Sequence, residues 1–95
     1  MNKLDDNFFN RADEHIHLSN EQLSHASMGK VSASMMYSLA RFNAWVTAGG
    51  CKNGMEMERA KQETIEYFVA EYQKMLTENL EDYIKNFDHY TNKNG

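Results

Sequence analysis

The sequence predicts an all-α protein, a small bundle of three long helices in which the third is either continuous or split into two. Three observations predict this class. The 95 residues include seven Met and no Pro, apolar residues recur at the helical period over long stretches, and no stretch alternates as a strand does. The length gives one domain, residues 1–95, with a modest core. Self-association would help to stabilise a chain this small.

The first helix is predicted over residues 5–28. Asp5 is a good N-cap, and Gly29 is expected to end the helix because glycine readily adopts the left-handed conformation that follows a helix. Alternatively, a capping box formed by Ser19 and Gln22 would break the helix earlier. A narrow core stripe of large and small residues follows the helical period: Phe9, Ala12, Ile16, Ser19, Leu23 and Ala26.

The second helix, predicted over residues 31–48, is the most apolar part of the chain, and Arg41 is its single charge. One broad face carries large side chains, and small side chains gather on the other side. A helix that is apolar on both faces is typically buried, so we expect it to lie between the other helices. It is too short and too polar to span a membrane. The large side chains are those of Val31, Met35, Leu39, Phe42, Trp45 and Val46, and the small ones are those of Ala33, Ala40, Ala44 and Ala48.

The third helix is predicted over residues 54–90, after a glycine-rich turn, with Asn53 and Glu56 as a capping box. Unbroken, it would be about 55 Å long, whereas a compact chain of this size has a radius of gyration of roughly 12 Å. Either the helix bends or breaks near residues 77–79, or its C-terminal half packs on another subunit. Residues 91–95 are predicted to be a frayed tail. The predicted interface residues are Tyr72, Leu80, Tyr83 and Phe87.

Charge and cysteine content argue against several classes of protein. The net charge is −4, and no cluster of Lys and Arg could neutralise phosphates, so no nucleic-acid partner is predicted. Cys51 is the single cysteine and the N-terminus MNKLDDNFF lacks the apolar segment of a signal peptide, which together indicate the cytoplasm. No phosphate-binding loop, paired zinc cysteines or nucleophile elbow is present. Nothing in the sequence therefore points to an enzyme.

Polar residues of the first helix form a candidate metal site. His17, Glu21 and His25 recur at every fourth position, which places three potential ligands on one side of the helix, with Glu14 nearby. Imidazole and carboxylate groups in this arrangement suit a divalent metal such as zinc. The alternative interpretation is a solvated polar face, and no cofactor is expected if it holds.

A second polar group includes Arg41, which needs a partner if the second helix is buried. We expect a charge-assisted pair with Asp13 that fixes how the first two helices dock. The alternative is a small pocket in which Arg41 binds an anionic ligand. The full group is Asp13, Asn20, Arg41 and Asn43.

Segments 8–22 (FFNRADEHIHLSNEQ), 29–46 (GKVSASMMYSLARFNAWV) and 66–87 (EYFVAEYQKMLTENLEDYIKNF) span nearly the whole chain. Together they resemble a family of short all-helical proteobacterial proteins known only as a domain of unknown function. The strings RAD (11–13) and ARFNA (40–44) are the most recognisable parts. The resemblance implies a small helical fold, and it implies no activity, substrate or catalytic residue.

The sequence as a whole predicts a cytoplasmic interaction or assembly module that forms a homodimer through its C-terminal amphipathic helix, with a different protein as a further partner. Two alternatives belong to other classes. One is a divalent-metal-binding protein that uses His17, Glu21 and His25. The other is a protein with a small anionic-ligand pocket around Arg41.

Overall fold

The computed structural model describes residues 5–91, which are all-α and contain no strand. The predicted fold class is confirmed. None of the helices in this part of the chain is long and apolar enough to cross a membrane. Of the frayed tail predicted at residues 91–95, residues 92–95 lie outside the described part of the chain. The helices are α1 (Phe8–Gln22), α2 (Met28–Gly49), α3 (Gly54–Lys85) and α4 (Phe87–Thr91).

Helix α1 begins three residues after the predicted start because Asp5 forms a turn instead of capping the helix. The Asp5 carboxylate accepts a hydrogen bond from the backbone N–H of Asn7 at 2.9 Å, and the Asp5 carbonyl accepts one from Phe8 at 3.1 Å. Asn7 then occupies the N-cap position, without a side-chain cap bond. The acidic side chain thus stabilises the turn that precedes the helix.

Serine side chains end α1 early and start α2 early. Ser24 Oγ donates to the Glu21 carbonyl at 2.9 Å, which satisfies one acceptor of the last helical turn. Ser27 Oγ accepts the backbone N–H of Lys30 at 3.3 Å and acts as the N-cap of α2. As a result α1 stops six residues before its predicted end, and Gly29 lies in the first turn of α2.

Helix α3 begins with reciprocal side-chain to backbone bonds. Asn53 Oδ1 accepts the backbone N–H of Glu56 at 2.8 Å, and the Glu56 carboxylate accepts the backbone N–H of Lys52 at 2.6 Å. In a standard capping box the glutamate would bond the cap residue itself. Here it reaches one residue further back, so that the end of the glycine-rich turn is fixed as well.

The third predicted helix is split, at Asn86 and not near residues 77–79. Asn79 Nδ2 donates to the Met75 carbonyl at 2.8 Å, one turn back, so its side chain caps no new helix and α3 continues. Asn86 has φ −115° and ψ 34°, outside the helical region, and its Nδ2 donates to Asp82 Oδ1 at 2.9 Å. The long helix therefore ends where an asparagine leaves the helical conformation.

The chain divides into two compact units, of which one ends at Val46 and the other begins at Thr47. In the first unit, α1 and α2 meet across the turn, where Ser19 Oγ lies 3.8 Å from Met35 Sδ. In the second unit, α4 contacts the C-terminal end of α3. Val31, 7% exposed, is the one buried apolar residue among those described.

Within the first unit, the expectation that α2 is buried between other helices is wrong. Within its unit α1 contacts α2 near Met35, on one side. The four alanines of the small-residue face are exposed, and Phe42 and Trp45 on the large face are 60% and 70% exposed. A single 15-residue neighbour is too short to cover two faces of a 22-residue helix. The apolar character of α2 therefore requires another explanation.

Candidate interaction surfaces

An apolar stripe runs along one face of α3. At 100° per residue its six side chains fall within about 60° of one line, and no charged residue between positions 62 and 84 falls on that face. Five of the six are between 41% and 53% exposed, and Phe68 is half-buried. We call these six residues the α3 stripe: Ile65, Phe68, Tyr72, Leu76, Leu80 and Tyr83.

Helix α4 covers the C-terminal end of the α3 stripe. The rings of Tyr83 and Tyr90 stack with their centroids 4.1 Å apart, and the Tyr90 hydroxyl donates to Asp82 Oδ2 at 2.6 Å. This hydrogen bond to a carboxylate raises the pKa of Tyr90. Phe87, the first residue of α4, stays 50% exposed. Because α4 has five residues, it leaves the middle of the stripe open within this unit.

A second exposed apolar surface lies on α2. Three large aromatic side chains are 60–70% exposed there, and the Phe42 and Trp45 rings lie 5.6 Å apart. Arg41 lies among them, and it forms no ion pair with any residue that the structure describes. We call the residues that line this open groove the α2 patch: Tyr37, Ser38, Arg41, Phe42, Ala44 and Trp45.

The third surface is a shallow polar groove on α1 that contains part of the predicted metal site. His17 and Glu21 line it together with Asn10, Asp13, Glu14 and Leu18. The third predicted ligand, His25, lies beyond the end of α1, where its Nδ1 is 3.1 Å from Ser24 Oγ. No three His, Cys, Asp or Glu side chains within residues 5–91 are placed to hold a metal ion. The predicted spacing needed a helix that continued to residue 25.

The structure does not bring Asp13 and Arg41 together. Asp13 lines the groove on α1, Arg41 belongs to the α2 patch, and both side chains are exposed. Of the other two members of this predicted cluster, Asn20 is exposed on the last turn of α1 and Asn43 is half-buried on α2. Exposure removes the reason for a buried ion pair, because water can solvate each charge separately.

An ion pair that the sequence analysis missed lies at the start of α1. Arg11 donates to Asp5 Oδ2 at 2.7 Å. The guanidinium hydrogen bond, helped by the backbone N–H of Asn7, holds the pKa of the Asp5 carboxyl below its usual value. Both side chains are exposed, and the pair fixes only local backbone, so we assign it no part in binding.

Two patterns in the sequence point to features that the predictions above do not include. Asp82, Asn86 and Tyr90 recur at every fourth position, a spacing that lets the last two side chains reach back to the first. On α2, the aromatic residues flank an arginine in a helix without any acid. That composition is enriched at binding surfaces, and it distinguishes the α2 patch from an ordinary core face.

A model of the family described as "Protein of unknown function (DUF3144)" matches residues 8–84. The chain belongs to the DUF3144 family. The matched range begins with the first residue of α1 and ends one residue before the end of α3, so the DUF3144 pattern includes both the α2 patch and the α3 stripe. The resemblance to a family of unknown function is thereby confirmed. No curated protein and no solved structure matches the chain.

Proposed function

We propose that the protein is a self-associating helical module that forms a homodimer through the α3 stripe. The observation that carries this proposal is the stripe itself. No charged residue between positions 62 and 84 lies on the stripe face, and five of the six stripe side chains are about half exposed. The single cysteine of the chain, Cys51, is a free thiol and suits a reducing compartment such as the cytoplasm.

Exposed apolar stripes of this length are costly for a helix. Helices gain most of their stability from packing an apolar face, not from intrinsic propensity, and full burial of one Leu or aromatic side chain contributes about 1.5–3 kcal/mol. In its own unit, α3 has a five-residue neighbour at one end. A surface supplied by a second chain would remove the remaining stripe from water.

The area of the α3 stripe matches what a stable dimer requires. Six large side chains of roughly 200 Å² each, about half of which is exposed, together with Phe87, offer on the order of 700 Å² per chain. Standard protein interfaces bury about 800 Å² per partner. One such face on each of two chains is therefore sufficient for a specific complex.

A second copy is the partner that the chain's size and composition favour. Small domains bury a smaller fraction of their surface than large ones and gain from further burial, and most soluble oligomers are symmetric assemblies of identical chains. Tyrosine is enriched at protein interfaces, and the stripe contains Tyr72 and Tyr83. Either tyrosine can bury its ring while its hydroxyl remains at the solvated rim.

Charge substitutions at two tyrosines of α3 test the proposal. Tyr72→Glu places a charge in the middle of the stripe and should raise the dimer dissociation constant by at least about tenfold, because burying an unpaired carboxylate is unfavourable. Tyr67→Glu is the matched control, since Tyr67 is 59% exposed and lies about 140° away on the same helix. Sedimentation equilibrium measures both. Equal effects of the two changes would contradict an interface on the stripe.

A further inference from the structure

We propose that, in the homodimer inferred above, the α2 patch of one copy covers the α3 stripe of the other. The inference rests on the proposed self-association and adds which surface meets which. Both surfaces are apolar, both are exposed among the described residues, and both lie within the range that the family model matches. By twofold symmetry the contact would occur twice in each dimer.

Net charge favours this pairing over contact between two copies of α3. Helix α2 carries two cations, Lys30 and Arg41, and no acid, so its net charge is +2. Helix α3 carries eight acids and four bases, so its net charge is −4. Two α3 helices side by side would repel each other, whereas α2 against α3 brings opposite signs together, the arrangement that specific interfaces use.

The composition of the α2 patch is that of an interface centre. Trp, Tyr and Arg dominate the energetics of protein contacts, and Trp45, Tyr37 and Arg41 lie together in the patch, where all three side chains are exposed. Ala44 in the patch and Ala40 beside it are also exposed. Small side chains at these positions allow a neighbouring helix to approach closely along this side of α2.

Arg41 of one copy would form an ion pair with an acid that borders the α3 stripe of the other copy. It has no ion-pair partner among residues 5–91. Glu66 lies along one edge of the stripe, about 100° from its centre line, and is exposed. Glu71 borders the other edge and is already engaged with Lys74 at 3.0 Å. An arginine from a second chain can therefore reach a carboxylate while its aromatic neighbours pack on the stripe.

Charge reversal in the patch gives the first test. Arg41→Glu should raise the dimer dissociation constant by about tenfold or more, because it sets a carboxylate against an acidic helix. Lys30→Glu makes the same change in the net charge of α2 but lies outside the patch, so this control should raise the constant clearly less than Arg41→Glu does. An Arg41→Glu protein that dimerises as tightly as the wild type would overturn the assignment of the patch.

Cross-linking between copies gives the decisive test. In a Cys51→Ser background, Ala44→Cys labels the α2 patch and Val69→Cys labels the face of α3 that carries the stripe, about 40° from the centre line of the stripe. The two single-cysteine chains are unfolded, mixed, refolded and treated with a short bismaleimide, and mass spectrometry identifies the products. We expect the mixed product to exceed both products that join two identical chains.

The other products separate the two proposals. A dominant Val69→Cys homodimer product would show that the α3 stripe pairs with itself, which overturns this inference and leaves the dimer intact. A dominant Ala44→Cys homodimer product would overturn it too, since α2 would then pair with α2. If the two chains yield no cross-linked dimer and sediment as monomers, the inference and the proposed function both fail.

Discussion

At the residue scale, the polar side chains of the described chain bond mainly to near neighbours. Asp5 and Arg11 are six residues apart, and Asp82 and Tyr90 are eight apart. The longer-range bond from Ser19 Oγ to Met35 Sδ, 3.8 Å long, has a weak sulfur acceptor. These bonds fix helix ends and short turns. The proposed association between chains rests instead on apolar surface.

The Asp5–Arg11 pair leads to a prediction about pH. Because the ion pair lowers the Asp5 pKa, its stabilising effect is complete above the ordinary aspartate pKa of about 3.9 and is lost as the pH falls through the lowered value. Carboxyl NMR should place the Asp5 midpoint below the ordinary value, and Arg11→Gln should raise it. Arg59→Gln, on α3, is the control. An Asp5 titration midpoint that is the same in the wild-type and Arg11→Gln proteins would contradict the ion pair.

At the element scale, helix types were predictable from the sequence and helix ends were only partly so. The three-four spacing of apolar residues identified each long helix, because that period places the apolar side chains on one face of a helix. Ser27 escaped notice as an N-cap because Gly29 gave a stronger apparent stop signal. Asn79 and Asn86 have the same side chain and opposite roles. The first bonds back along a continuing helix and the second leaves the helical conformation, a difference that single-residue propensity does not contain.

The Asn53 cap of α3 can be tested by removing its side-chain acceptor. Asn53→Ala should lower the free energy of unfolding by about 1 kcal/mol, because the backbone N–H of Glu56 loses its partner. Asn53→Asp keeps an oxygen at that position and should be close to the wild type. Urea unfolding at one fixed protein concentration provides the measurement. Equal stability of the alanine and wild-type proteins would show that the cap contributes nothing.

Helix α4 should depend on the Tyr90 hydroxyl. Tyr90→Phe keeps the stacking on Tyr83 and removes the bond to Asp82, so amide hydrogen exchange in α4 should become faster. Tyr67→Phe, in the first half of α3, is the control. Because the pKa of Tyr90 is raised, the bond is present below the ordinary tyrosine pKa and is lost as the pH rises through the raised value. Unchanged exchange in the Tyr90→Phe protein would contradict this.

At the scale of the whole molecule, the sequence predicted the all-α class but misplaced α2. A helix that is apolar on two faces has the same sequence pattern whether its own chain or a second copy covers it, so periodicity alone cannot distinguish the two. The candidate site was likewise predicted in part. Tyr72, Leu80 and Tyr83 were predicted at an interface and lie on the exposed α3 stripe. The α2 patch was assigned to a core because exposure is not visible in a pattern.

The mass of the native protein in solution is the most direct test of the central claim that this chain completes its core by self-association. We expect light scattering coupled to size-exclusion chromatography to give twice the 11.1 kDa chain mass at micromolar concentrations, falling toward one chain mass only on dilution. A protein that remains at one chain mass up to millimolar concentrations would contradict the claim.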